Sequence, residues 1–310
     1  MRFYIYLGEE GEVMQLCLGT VQFGMDYGIR NQKQPSLDQA VEMLDYATQN
    51  GIDHIDTANA YGSAEDVVGV FLQKKTVARN KLNIISKFKP NLLDDVPSEQ
   101  YYQVMKANLE HTLSRLHTDY LDVYLLHSAR YVFQDEIIET LERIKKEGYA
   151  KKVGVSIYEP EEAKKCIERT NVDFMQLPYS IFDQRMKDSG VFDMSFGSNT
   201  QIHIRSAFIQ GLILMTEEQV PDFLVKAKPI VRKIDTICKD YGISRIALAM
   251  SFVKRQKAAS HLVFGVDNLE QLKEDIAYFE TALSEELIDE IGQQFVGIET
   301  DIVMPSLWKK

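Results

Sequence analysis

The sequence predicts a single (β/α)8 barrel of the TIM type over residues 1–310, with a β-hairpin before it and an extra helix after it. Three observations carry that expectation. Short apolar strand candidates alternate eight times with amphipathic helix candidates, and no Ser/Gly/Pro-rich linker or low-complexity stretch interrupts them. A hydrophobic content of 45% over 310 residues is enough to bury one large core. Two doubly wound halves would require a boundary, and none is visible.

In chain order, residues 2–7 and 12–17 read as the hairpin, turned by Gly8-Glu9-Glu10-Gly11. Residues 15–20 form the first buried strand, and Ser36 with Gln39 makes a capping box for a helix carrying Ala40, Val41, Leu44 and Ala47 on one face. Strand and helix then alternate at 52–56 and 63–73, 82–87 and 99–116, 121–127 and 134–147, 152–156 and 160–169. The pattern continues with 174–177 and a helix within 184–195, 202–206 and helices within 225–256, and 261–265 with 269–279. A ninth helix over 284–295 starts with Glu285 and Glu286, where the helix dipole favours acids, and the tail beyond it shows no pattern.

A net charge of -11 argues against a nucleic-acid or anionic-membrane partner, both of which need a basic footprint. Cys17, Cys166 and Cys238 are odd in number and far apart, which fits packing residues in a reducing cytoplasm better than a disulfide framework or a structural zinc site. Neither a signal peptide nor a membrane span is expected. No His, Asp or Glu spacing reads as a metal site, so no metal is expected, and no nucleophile elbow appears.

In a parallel barrel the C-terminal ends of the strands share the rim that carries chemistry. Asp56, Lys87 and His127 close the second, third and fourth strands, and Tyr61 follows in the loop after the second. A phenol, with an ordinary pKa near 10, is a poor proton donor without help. An ammonium beside it lowers that pKa, a carboxylate holds the ammonium oriented, and an imidazole hydrogen-bonds the substrate oxygen. Asp56 with Lys87 alone reads as a buried ion pair, and His127 alone as a packed core histidine; the four together point to general-acid reduction of a carbonyl. Hydride must then come from a nicotinamide or comparable cofactor. With no G-x-G-x-x-G present, its phosphates are expected in the loops after strands seven and eight, at 206–211 and 265–268.

Gly19-Thr20, the run Asp-Thr-Ala-Asn-Ala-Tyr-Gly at 56–62, Ser86-Lys87, Leu-Leu-His at 125–127, Val-Gly-Val-Ser at 153–156 and Gln176 before Pro178-Tyr179 together resemble the aldo-keto reductase family over nearly the whole chain. The resemblance implies Tyr61 as proton donor, supported by Lys87, Asp56 and His127, with an extended nicotinamide cofactor across the strand ends. It places Ser156 and Gln176 at the carboxamide, Gly19 and Thr20 with Asp56 near the nicotinamide ribose, and Ser206, Phe208 and Gly211 near the pyrophosphate. Gln271, Glu274 and Asp275 fall near the adenosine.

The departures from that pattern bear on specificity. Ile157 follows Ser156 where relatives have asparagine, Arg205 stands where a tyrosine commonly stacks on nicotinamide, and Gly265 and Gln271 replace basic residues near the ribose 2′-phosphate. The implied cofactor is NADP by family default, but Asp267, Glu274 and Asp275 leave NAD open. The expected substrate is a small carbonyl compound, sugar-like rather than flat and apolar, with residues 22–27, Arg130 and Arg185 as candidate contacts. Two other readings are a cofactor-binding sensor on the same fold and a redox-neutral sugar epimerase with tightly held cofactor.

Overall fold

The computed structural model describes residues 13–30, 32–281 and 283–309, and its strands close into one parallel barrel in sequence order. They are β1 (Gln15–Gly19), β2 (His54–Asp56), β3 (Asn83–Phe88), β4 (Leu121–Leu126), β5 (Ala150–Ser156), β6 (Phe174–Pro178), β7 (Gln201–Arg205) and β8 (His261–Gly265). The expected N-terminal hairpin lies, for the most part, outside the described residues.

Side chains alternate between the two faces of each strand, and this period places both the core and the site. On β4, Tyr124 and Leu126 join the main core between barrel and helices. Val123 and Leu125 instead join Cys17, Ile85 and Phe174 in a second cluster that fills the barrel interior. The same inward face carries Asp56 on β2, Lys87 on β3, Gln176 on β6 and Arg205 on β7 at the C-terminal end, and His127 continues it just past β4. Two residues or more earlier on those faces stand His54, His203 and His261, at the opposite end of the barrel.

The short helix α1 (Val21–Gly24) and the outer helix α2 (Leu37–Gln49) follow β1. Ser36 and Gln39 form the expected capping box, Ser36 Oγ accepting from the Gln39 amide at 3.3 Å. Next come α3 (Ala64–Gln73), α4 (Tyr101–Leu116), α5 (Asp135–Lys146) and α6 (Pro160–Glu168). The helix expected within 184–195 is two short pieces, α7 (Arg185–Asp188) and α8 (Val191–Ser195), because Gly190 between them takes a φ of 76° that a helix interior does not allow. After β7 the chain runs through 3₁₀ turns until α9 (Lys228–Tyr241) and α10 (Arg245–Lys254). Then α11 (Leu269–Phe279), α12 (Glu285–Gln293) and the short α13 (Thr300–Val303) complete the chain, α12 being the expected ninth helix. No helix among the described residues is long and apolar enough to cross a membrane.

Candidate active site

The four ionisable residues singled out in the sequence converge at the C-terminal rim. Asp56 and Lys87 are almost fully buried and joined at 2.6 Å between Oδ1 and Nζ. Lys87 Nζ also donates to the Thr57 carbonyl at 2.9 Å, which ties the end of β3 to the loop after β2. The other Asp56 oxygen accepts from Gln176 Nε2 at 2.8 Å. A buried carboxylate is tolerated only with such partners, and here both of its oxygens have one.

Tyr61 lies on the turn that follows β2, with Lys87 Nζ 4.9 Å from its ring centroid and the His127 ring edge-on at 5.7 Å. Two glycines set that turn. A methyl group on Gly24 would come within 1.8 Å of the Tyr61 carbonyl oxygen, and one on Gly62, at φ 55°, within 2.1 Å of the Gly24 carbonyl oxygen. Arg115 on α4 holds the turn from behind, donating to the Gly62 carbonyl at 2.6 Å and to Glu65 at 3.1 Å. Glu65 is buried and in turn accepts from Ser86 Oγ, next to Lys87, at 2.7 Å.

The protonation states differ from the expectation that Lys87 lowers the phenol pKa. Burial pushes the Tyr61 phenol upward, and the Asp56 charge adds to the rise. The physical reason is that the phenolate would have to form in a desolvated pocket beside the Asp56 carboxylate, and the loss of water is the larger effect. His127 is driven the other way, down to about 3, by burial and then by the Lys87 and Arg205 charges. Its imidazole is therefore neutral at ordinary pH, and its Nδ1 has no partner.

These groups open into a cleft of about 590 Å³. Tyr61, His127, Asp56, Ser156 and Gln176 line it on the strand ends of β2, β4, β5 and β6. Gly19 and Thr20 line it after β1, where Thr20 Oγ1 donates to the Asp56 carbonyl at 3.0 Å. Arg205, Ser206, Phe208 and Gly211 line the β7 side, and Gly265 and Gln271 the β8 side. Lys87 lies beneath the lining, and Glu274 and Asp275 stand outside it. Asp275 is buried, and desolvation followed by the Glu274 and Asp267 charges raises its carboxyl to about 7.

Arg130 and Arg185 do not reach the cleft. Arg130 pairs with Asp94, and Arg185 with Asp183 at 2.9 Å. Arg205 is fixed by its neighbours: its guanidinium donates to the Ile157 carbonyl at 2.8 Å and lies 4.5 Å from the Tyr158 ring centroid. The loop after β7 is strained, with Ser206, Ile209 and Gln210 at φ 66°, 47° and 53°. A β-branched Ile209 in that region is costly and is held where binding loops often store strain. Gln210 then meets the β1 loop, its carbonyl accepting from the Ile29 amide at 3.1 Å and its side chain reaching Tyr27 at 3.2 Å.

The sequence reading missed Arg30, Tyr158 and the tail residues Pro305 and Ser306, all of which line the cleft. Tyr27 and Gln22 stood in the stretch singled out after β1. Little in the local sequence marks the others, because their places depend on packing across the barrel.

A sequence profile described as the aldo/keto reductase family matches residues 15–294. The chain belongs to the aldo/keto reductase family. This aldo/keto reductase is 26% identical over 336 residues to the aldo-keto reductase YhdN of Bacillus subtilis (strain 168), covering 96% of this chain and 98% of that one. It is 24% identical over 264 residues to an NADH-specific methylglyoxal reductase of Escherichia coli (strain K12), covering 76% and 81%. Among solved structures it is similar in fold to the holo form of an aldo-keto reductase from Bacillus halodurans, with a TM-score of 0.74, 20% identity, and 94% and 95% of the two chains covered. The protein is accordingly an oxidoreductase of a family that uses nicotinamide cofactors.

The cleft suits such a cofactor. Two buried polar atoms of its lining residues, Gln22 Oε1 and His127 Nδ1, have no partner among the described residues and are the kind of group a polar ligand satisfies. A side chain at Gly265 would run into Gln22, its Cβ falling 2.4 Å from Gln22 Oε1.

Proposed function

We propose that this aldo/keto reductase reduces a small polar aldehyde or ketone to the alcohol, with Tyr61 giving the proton. The observation that carries the reading is the convergence of Tyr61 and neutral His127 on one cleft directly above the Lys87–Asp56 pair.

A bound nicotinamide supplies the hydride, and the chain supplies everything else. Burial keeps the proton on Tyr61 Oη until negative charge develops on the carbonyl oxygen. As that proton leaves, the Lys87 cation under the ring stabilises the forming phenolate, and Asp56 keeps the cation in place. His127, neutral and desolvated, hydrogen-bonds the same oxygen and adds no charge of its own. Ser156 and Gln176 would meet the carboxamide, the Gln176 amide nitrogen being already engaged by Asp56.

The polar members of the lining support a polar substrate: Tyr27, Arg30, Gln210 and Ser306 offer hydrogen-bonding groups among apolar neighbours such as Ile29, Leu214 and Met215. Relatives named methylglyoxal reductase and glyoxal reductase fit the same substrate class, short oxo-aldehydes and hydroxy-aldehydes. At the adenosine end Asp267 and Gln271 bring no cation, so NAD(H) should serve at least as well as NADP(H). The three unpaired, buried cysteines fit a reducing compartment such as the cytoplasm.

A panel of carbonyl compounds assayed with NADH and NADPH, beside Tyr61→Phe, tests the reading. Reduction should fall by roughly 10²–10⁴ in the variant while cofactor binding, followed by fluorescence, stays near the parent value. Equal rates in parent and variant would remove Tyr61 from the role given to it.

A further inference from the structure

At the end of the barrel opposite the cleft, three inward-facing imidazoles meet. His54 opens β2, His203 lies in β7 and His261 opens β8, the latter two paired in register. Their rings are 3.8 Å (His54 to His261), 4.3 Å (His203 to His261) and 5.5 Å (His54 to His203) apart between centroids. One ring nitrogen from each lies within 4.8 Å of those of the other two. The positions 54, 203 and 261 form no spacing that a linear reading could detect; the barrel alone assembles them.

We propose that these three histidines form a binding site for a first-row divalent metal ion, zinc being the reference case, that ties β2, β7 and β8 together at the foot of the barrel. The outer hydrogen bonds are those of metal-ligating imidazoles, in which one nitrogen is held by a polar neighbour and the other is left to the ion. His54 Nδ1 lies 2.7 Å from a carboxylate oxygen of Asp53, so it carries the proton and Nε2 keeps the lone pair. His261 Nδ1 lies 2.9 Å from Ser260 Oγ. The Ser260 hydroxyl is itself directed at the Ile202 carbonyl, at 3.3 Å, so it accepts from His261 and again leaves Nε2 with the lone pair.

That Nε2 of His261 is buried without a partner among the described residues, and so is Nδ1 of His203. The remaining nitrogen of His203 has only a long contact, 3.5 Å, to the Gln201 amide nitrogen. Phe174 closes over His203 edge-on, with 4.4 Å between ring centroids, which keeps water from that side. A structure that buries polar nitrogens beside one another and leaves them unmatched needs an explanation, and a cation shared among them provides one. An uncharged, all-nitrogen set favours zinc or its neighbours over calcium or magnesium, which take oxygen ligands.

The test is equilibrium dialysis of the full-length chain, prepared without a histidine tag, against zinc, with cobalt(II) as a spectroscopic probe. The parent should take up one equivalent and give the visible absorption of a tetrahedral cobalt site. His203→Gln and His261→Gln should bind at least about tenfold more weakly, and His111→Gln, an exposed residue on α4, should bind as the parent does. Asp53→Asn removes only the carboxylate behind His54. The Asp53 side chain is 45% exposed, so this variant should fold, and it should lose about 10–100-fold in zinc affinity. No stoichiometric uptake by the parent overturns the proposal, as does undiminished affinity in the two buried-histidine variants. Should those two fail to fold, parent-like affinity in Asp53→Asn overturns it equally.

Discussion

Gln176 reaches across the barrel interior from β6 to β2 and donates to Asp56 Oδ2 at 2.8 Å, completing the coordination of a carboxylate whose other oxygen is held by Lys87. This residue, expected at the cofactor carboxamide, thus also orients the acid beneath Tyr61, the proposed proton donor. A hydrogen bond to a buried charge is worth about 1.5–3 kcal/mol. Gln176→Leu should therefore lower kcat/KM for carbonyl reduction by roughly 10–100-fold with the fold intact by circular dichroism. An unchanged kcat/KM would mean that Lys87 alone suffices to hold Asp56.

The pH dependence of catalysis follows from the two shifted groups. An ordinary imidazole would titrate near 6.5, but His127 is held down to about 3 and stays neutral above that. The phenol is displaced upward, so its proton is present at neutral and mildly alkaline pH. Carbonyl reduction should then show no inflection between about pH 5.5 and 8.5, whereas alcohol oxidation, which needs the phenolate, should rise with pH across that range. A reduction profile that bends near 6.5 would assign an ordinary pKa to His127.

The stability of the protein should fall in acid for a separate reason. His127 and His261, both near 3, and His203, also displaced downward, are neutral when folded but bind protons below about 6.5 when unfolded. The unfolded state gains the protons, so each group removes up to about 1.4 kcal/mol of stability per pH unit as pH falls from 6.5. Asp275 acts in the opposite sense: with its carboxyl raised to about 7, the folded state binds a proton that the unfolded state does not until near 3.9. Three groups against one leave a net loss, and urea midpoints measured at pH 7 and pH 5 should drop accordingly. A midpoint independent of pH over that interval would show that the rings are solvated.

Cofactor choice should turn on one position. Gln271 lines the cleft at the start of α11, where its Oε1 accepts from the Asp267 amide at 2.9 Å. Gln271→Arg places a cation where a 2′-phosphate is expected and should strengthen NADPH binding about tenfold while leaving NADH binding within about twofold, as read by fluorescence titration. Equal changes for both cofactors would place the phosphate elsewhere.

Much of this architecture is legible in the sequence because its signals are local. The Ser36–Gln39 box, the apolar faces of the helices and the alternation along β4 each speak through neighbouring residues, and they lead to the barrel and to Tyr61, Asp56, Lys87 and His127 on one rim. What stayed hidden depends on residues far apart in the chain. Arg115 meets the Gly62 carbonyl across 53 positions, and Gln210 meets Tyr27 across 183. The upward displacement of the phenol was misread because the sequence displays Lys87 as a charge and does not display how deeply the Tyr61 ring is buried beside Asp56. Glu274 and Asp275, three and four positions after the lining residue Gln271, were placed near the adenosine, and on α11 they stand outside the cleft lining.

Pro305 and Ser306 come from the last turn of the chain, after every strand and outer helix is complete, and still they form part of the cleft wall. Asp56 and Lys87 are anchored in strands that the whole barrel depends on, so few changes there are survivable. The turn at 305–307 is held to the core on both sides, by Ile302, Val303 and Trp308, while Ser306 and Leu307 between them are exposed. A change at Ser306 can therefore reshape the cleft wall without disturbing either the core or the Asp56–Lys87 pair beneath it.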